Sequence, residues 1–390
     1  MNLMSRATAL LPRDDPMRVD LIPNVRAIQG AADLGWADAI LQEAIASGDP
    51  RLSAHAHVQR GFLQLFFHDA DVTAEELVAV AEEATAVFEN DRDELGLARA
   101  WRLVAQAHYL ARKGRLSAEA AETALEFAGR TGDRFEQLEI LEWLGIALLL
   151  GPTTGVEGEA ICRRLLDRAA DDPRLRLTLL GTLAYMLGIQ GRSAEADEAV
   201  AEGHRTRDEL EETTWLFPVL LAFYEAWLRD PVTAEGYLRP VYEGLKAIGE
   251  QSHFCSISTM LAQAVYAQRR YDEAEELSRE AERSTRPNDV HSHIIWRGTR
   301  AKVLARRGEL EAAERMAREA VGYAETSDFL HSHAEALTDL AEVLALAGRR
   351  EEAAAAIETA IHLHEQKGNV LAVAQTRTLL ENVRQTDGQA

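Results

Sequence analysis

The feature that most constrains this chain is a register of small residues. The stretch "VLARRGELEAAERMAREA" at 303–320 returns forty residues later as "VLALAGRREEAAAAIETA" at 343–360. Ala196, Ala234, Ala274, Ala313 and Ala353 follow one another at intervals of 38 to 40 residues. Each has a second alanine twelve positions upstream: Ala184, Ala222, Ala262, Ala301 and Ala341. Seven positions downstream stand Gly203, Val241, Ala281, Ala320 and Ala360. Five positions upstream stand Gly191, Arg229, Arg269, Gly308 and Gly348.

This pattern dictates a helical hairpin. Around each upstream alanine the apolar residues fall at helical spacing, as in Leu337, Leu340, Ala341 and Leu344. A glycine then ends the first helix without a side-chain clash. A second helix follows, with Ala353, Ile357 and Ala360 on one stripe. Small residues at facing positions let two helix axes approach to the short end of about 8–10 Å. One hairpin cannot cover its own apolar face, so successive hairpins stack. The expectation is an all-α, right-handed α-solenoid of about nine hairpins with a period of about 39 residues, one array over 1–390. Residues 1–15 hold an unpaired N-terminal helix, and 370–390 a C-terminal capping helix with a frayed tail.

Composition agrees and excludes several function classes. Hydrophobic residues make up 47% of the 390, enough for a large buried surface, while aromatics are only 6%. A net charge of −22 repels a phosphate backbone, which argues against direct nucleic-acid binding. No run of apolar residues reaches membrane-spanning length; "TTWLFPVLLAFYEAWL" is interrupted by Pro218 and Glu225. The opening "MNLMSRATALLPRDDP" lacks the apolar stretch of a secretory signal. Cys162 and Cys255 read as free thiols, and the chain as cytoplasmic.

The units resemble tetratricopeptide repeats. Trp101, Val104, Ala105 and His108 match the first half of that pattern, as do Leu141, Leu144, Gly145 and Leu148. Gly308, Ala313 and Ala320, and Gly348, Ala353 and Ala360, match the second half. The departure is length, because that family repeats every 34 residues or so. Longer helices or linkers, as in "VGYAETSDFLHSH", must supply the difference. Nearly the whole chain also resembles the C-terminal repeat tail of large bacterial signalling regulators, in phrases such as "RATALLPRDDPMRVDLIP", "GLARAWRLVAQAHYL" and "WRGTRAKVLARRGELEAAERMAREAV". In those proteins an ATPase module, often with a nucleotide-cyclase or DNA-binding domain, precedes the repeats. That likeness implies a regulatory or sensor role in signalling or transcription control. No G-x-x-x-x-G-K-[ST] loop is present here.

Catalytic signatures are missing too. There is no G-x-S-x-G, no nucleophile paired with a histidine, and no dinucleotide loop. The expectation is a non-enzymatic protein without cofactor or metal. Four His-x-His pairs, His55/His57, His291/His293, His331/His333 and His362/His364, invite a metal reading. On a helix, residues two apart point away from each other, and no carboxylate or cysteine completes a zinc spacing. Polar linker residues are the better account. Arg297 and Arg300 stand where Leu337 and Leu340 stand in the next unit. Their stems would pack while the heads reach solvent or a carboxylate; the functional alternative is an anion-recognising patch. Glu225 interrupts an apolar helix and calls for a pairing partner, or else a ligand. Trp143, Trp227 and Trp296 read as packing between repeats.

The first helices of the hairpins would line a concave face that binds a protein or peptide. In register, Thr299, Lys302, Arg306, Thr338, Asp339 and Glu342 face it, with Arg297, Arg300 and Glu225 as further candidates. A small-ligand sensor with an enclosed pocket is the alternative. At the N-terminal end, Leu3, Met4, Ala7, Leu10 and Leu11 form an apolar side with no upstream helix to cover it. That end would invite an upstream domain or a homodimer.

Overall fold

The computed structural model describes residues 3–12, 15, 17–22, 31–67, 72–169, 172–210, 216–228, 230–249 and 253–385. Among them the regular structure is entirely helical. The chain divides into two compact units, residues 1–111 with 116–144, and residues 112–115 with 145–390.

The first unit contains α1 (Leu3–Ala9), α2 (Met17–Asp20), α3 (Ala31–Ile45), α4 (Pro50–Phe67), α5 (Ala74–Asp91), α6 (Glu94–Leu110), α7 (Gly114–Thr131) from Leu116 onward, and the greater part of α8 (Arg134–Leu150). Thr73 starts α5 with a reciprocal capping box closed by Glu76. Between α6 and α8, Arg102 donates to Glu136 inside the core, with its guanidinium 3.9 Å from the Phe62 ring centroid. Trp143 meets Tyr109 edge to face at 5.4 Å, a packing role of the kind expected of it. In α1, Thr8 is buried and accepts from the Trp36 indole, while Leu10 just beyond is 86% exposed. The side chains of Leu3 and Met4 lie outside the described residues.

In the second unit the end of α8 is followed by α9 (Gly155–Arg168), α10 (Pro173–Ile189), α11 (Ser193–Leu210), α12 (Leu216–Leu228), α13 (Pro231–Ile248), α14 (Phe254–Ala267), α15 (Tyr271–Ser284), α16 (Val290–Arg306), α17 (Leu310–Glu325), α18 (Leu330–Leu346), α19 (Arg350–Lys367) and α20 (Val370–Gln385). Successive helices pack on one another as hairpins. The first helices of neighbouring hairpins touch as well, α10 with α12, α14 with α16, and α16 with α18. This is the architecture of a tetratricopeptide-like array. The long period comes from the helices: α16 to α19 run 16 to 18 residues each, joined by short turns.

The alanine register is the packing code of this unit. The five upstream alanines, Ala184, Ala222, Ala262, Ala301 and Ala341, are at most 1% exposed, and the five central ones fully buried. Ala281, Ala320 and Ala360 are buried too. At Gly203 an added Cβ would collide with the Phe217 ring, so even a methyl is too large there. The turn position is also coded. Gly191, Gly308 and Gly348 take φ of +77°, +83° and +78°, and Arg269, in the same register place, is forced to +63°. That conformation suits glycine and strains a residue carrying a Cβ.

The two helices of a hairpin meet at the central alanine, so a bulky side chain there must force them apart. Ala353→Trp is expected to lower the melting temperature sharply, because overpacking costs about 1–3 kcal/mol or more. Glu352→Trp, one residue away on the solvent side, is expected to change it little. Thermal unfolding followed by circular dichroism checks both; equal melting temperatures would refute the register.

Candidate functional site

The first helices of three consecutive hairpins, α14, α16 and α18, together with α19 and α20, wall a cavity of about 410 Å³ inside the second unit. Gln263 and Tyr266 come from α14, Lys302 from α16, and His331, Glu335, Thr338, Asp339 and Glu342 from α18. His364 of α19 and Gln375, Thr376 and Leu379 of α20 close the opposite side. Helix α20 also reaches α10 and α12, so it lies across the inside of the unit. Its start is pinned. Gly368 turns the chain at φ +72°, and the buried Lys367 Nζ donates to the carbonyls of Leu148 and Gly151 at 2.5 and 2.6 Å.

The cavity carries several charged and polar side chains, and its charges are organised. Lys302 Nζ lies 2.6 Å from Asp339 and 4.5 Å from the Tyr266 ring centroid. Arg306 pairs with Glu342 at 2.5 Å, and the Tyr266 hydroxyl donates to the same carboxylate at 2.5 Å. Gln263 Nε2 donates to Glu335 Oε1 at 3.1 Å. These contacts tie α14, α16 and α18 together across their inner faces.

Burial sets the proton affinities. It raises Glu335 to about 7, against the pull of His291, Lys302 and the Gln263 hydrogen bond. It raises Asp339 to about 6, with the Lys302 ammonium opposing. Burial would also raise Glu342, yet Lys302, Tyr266 and Arg306 outweigh it and hold that carboxyl below its ordinary value. His331 falls to about 3 through burial and the Lys367 charge, and His364 to about 3 through burial and His331. Both imidazoles are therefore neutral at physiological pH. Lys367 is itself drawn down to about 7 by burial, with Asp328 and Glu157 opposing.

Among the residues singled out in the sequence, Lys302, Thr338, Asp339 and Glu342 line this cavity, and Arg306 joins it through Glu342. Thr299 is fully buried beside the α16–α18 contact, where Asp339 leaves no room for a Cβ on Gly298. Arg297 turns to the other side of α16. Its guanidinium sits 4.1 and 4.7 Å from the Trp296 and Tyr323 ring centroids and meets Glu319 at 3.3 Å. Arg300 pairs with Glu282 at 2.5 Å. Both arginines thus meet carboxylates outside the cavity. Glu225 is half-buried in α12 near Tyr237, whose hydroxyl it pushes up after burial does. The side chain of Trp227 lies outside the described residues.

The His-Ser-His motifs are not linker residues. Both lie in the first turn of a first helix, and both serines are fully buried. His291 Nδ1 shares a hydrogen bond of 3.0 Å with Ser332 Oγ, so the repeated motif is a joint between hairpins. Two residues on, His293 faces the opposite way and stacks on Tyr323 at 4.9 Å. Among the described residues no group of His, Cys, Asp and Glu has the arrangement of a metal site.

Sequence reasoning missed Gln263, Tyr266, Glu335 and the inner face of α20, and it read His331 and His364 as polar linker residues rather than as cavity lining. One signal was present: Gln263, Lys302 and Glu342 each follow an upstream alanine, so they occupy one register position in three hairpins. Glu335 reads as one more surface carboxylate among 64 acidic residues. His364 sits on a second helix and enters the site only because α20 folds back.

No protein-family model and no curated protein matches the chain by sequence. Among solved structures, the chain is similar to the Rap protein complexed with competence and sporulation factor (10% identity, 98% of each chain, TM-score 0.49). It is similar to NprR in complex with its cognate peptide NprX (11% identity, 85% of this chain and 88% of that one, TM-score 0.47). Yeast Tom70 matches at 12% identity over 98% of this chain and 80% of its own, with a TM-score of 0.42. Among the described residues no helix is long and apolar enough to cross a membrane.

The histidines give the site a measurable acid response. Unfolded, a histidine takes a proton below about pH 6.5, whereas native His364 refuses one until about pH 3. Stability is therefore withdrawn as pH falls through that window. Glu335 and Asp339, raised in the folded chain, act in the opposite sense between about pH 7 and 4. Replacing His364 by leucine is expected to remove its share, so the variant should lose roughly 2 kcal/mol less than the parent between pH 7 and pH 5. Urea unfolding at the two pH values checks this, and identical losses would show that His364 is not held neutral.

Proposed function

We propose that the chain is a non-enzymatic, peptide-binding scaffold whose inner cavity in the second unit receives a short segment of its partner. The observation that carries this reading is the cavity itself, walled by the first helices of three successive hairpins, the face on which helical-repeat arrays bind. Its volume of about 410 Å³ accepts a few side chains of an extended segment and excludes a folded domain. Its polar groups suit a peptide, since Gln263, Thr338, Gln375 and Thr376 can meet backbone amides and carbonyls. The strongest acids and bases are engaged with one another, Lys302 with Asp339 and Arg306 with Glu342, which is the arrangement of a recognition surface rather than of a free nucleophile and base. Occupancy would then control an output domain, in this chain or in another, as the likeness to the repeat tails of signalling regulators implies. Arg297, Arg300 and Glu225 are not assigned to this cavity.

A small-molecule sensor is the second reading, favoured by the same volume, which falls in the ordinary range for small ligands of about 300–1,000 Å³. Selection of random hexapeptides on the full chain separates the two. Peptides that enrich should bind in fluorescence polarisation and weaken by about tenfold or more in Thr338→Trp, whose indole fills the cavity. The variant's melting curve serves as the control for folding. Enriched peptides that bind Thr338→Trp unchanged, or the absence of any enriched peptide, would overturn the reading.

A further inference from the structure

The ion pairs in the cavity leave one carboxylate over. Glu335, Asp339 and Glu342 face it, and the cations engaged there are Lys302 and Arg306. Lys302 is taken by Asp339, and Arg306 by Glu342. Glu335 receives the Gln263 amide on Oε1, while its Oε2 is buried without a hydrogen bond, 3.4 Å from the neutral His331 ring. A carboxylate in such a place must be paired or carry a proton. It keeps a proton up to about pH 7, so at neutral pH it is poised to lose it to an incoming charge.

A second group on the same wall has the matching deficit. His364 is 5% exposed and lines the cavity, and its Nδ1 has no hydrogen-bond partner. Its ring is 6.2 Å from that of His331, centroid to centroid, so the imidazoles run in contact from Glu335 toward α19. A neutral imidazole offers one acceptor nitrogen, and a carboxylate offers only acceptors. What Glu335 and His364 lack is a partner that only donates, since Lys302 is taken by Asp339. An ammonium has three donors and no acceptor.

We propose that the cavity recognises a single cationic group of its ligand, an ammonium, with Glu335 as the charge partner and His364 as a second acceptor. This rests on the peptide reading above. The cation is then a lysine-type side chain or the amino terminus of the bound segment. A carboxylate ligand is disfavoured, because the one ammonium on the wall, Lys302, is already neutralised by Asp339.

The test uses four peptides and the full chain in isothermal titration calorimetry. Three are acetyl-Ala-Ala-X-Ala-Ala-amide with X lysine, norleucine or glutamate; the fourth is pentaalanine amide with a free amino terminus. Lysine, or the free amino terminus, is expected to bind at least about tenfold more tightly than norleucine, a neutral isostere of similar length. Which of the two wins identifies the source of the ammonium. In Glu335→Gln that preference should vanish. The inference is overturned by a cationic peptide that gains less than this over norleucine, by a preference for glutamate, or by a preference that survives in Glu335→Gln. If none of the four peptides binds, the peptide reading itself falls and the inference with it. The comparison among peptides on the unaltered chain holds even where the variant is unstable.

Discussion

The close approach of two helices at an alanine is the contact on which the second unit depends. With central and upstream alanines buried in each of five hairpins, backbones come near enough for side chains on the flanking positions to interlock. A dense interior of small residues also fixes the angle at which one hairpin meets the next, because there is no long side chain whose rotamer could absorb a change. Helices of 16 to 18 residues, longer than the standard repeat allows, are brought into one stack by this stripe. The left-handed turn residue completes the unit, and Arg269 shows how firmly it is required, since an arginine is bent into the conformation its glycine counterparts adopt freely.

The inner face inherits its chemistry from that spacing. Gln263 reaches Glu335, 72 residues on, and Tyr266 reaches Glu342, 76 residues on. Both contacts run from α14 to α18, past α16. Such bridging requires the first helices to crowd together. Lys302, between them, is buried and kept charged because Asp339, Glu342 and Tyr266 outweigh its loss of water. The cavity is a place where three hairpins share a polar network.

How much of this the sequence revealed follows from what repeats and what does not. The alanines and the turn positions recur at one interval, and Lys302, Thr338, Asp339 and Glu342 stand at fixed places within it, so a register finds them. Arg297 and Arg300 were placed by the same register but belong to its other side: an arginine stem is long enough to leave the stripe where leucine would stay, and Trp296, Tyr323 and Glu282 receive it. The His-Ser-His pairs looked like linker residues because helix starts are short of periodic signal. Their buried serines show that the first helix begins earlier than its apolar pattern does. Glu335 had no signal, and His364 was noticed only as half of a His-x-His pair, because their place at the cavity depends on contacts the local sequence does not carry.

The last wall of the cavity explains why. Helix α20 has no partner helix after it among the described residues, yet it lies against α19 and also reaches α10 and α12. Its apolar pattern reads as a cap on the end of the stack, and in the structure its start is set by Lys367. A buried lysine is costly unless its donors are met, and here they are met by Leu148 and Gly151 at the end of α8, more than 210 residues away in the chain. Those carbonyls end a helix and so lack intrahelical partners, which makes them good acceptors for a donor arriving from outside. The same bond satisfies a helix terminus and fixes the turn from which α20 departs. Thr376 and Leu379 then line the cavity with His331 and the carboxylates of α18 and with His364 of α19. The cavity is thereby built from a periodic inner face that the repeat supplies and a closing helix positioned by one non-periodic lysine.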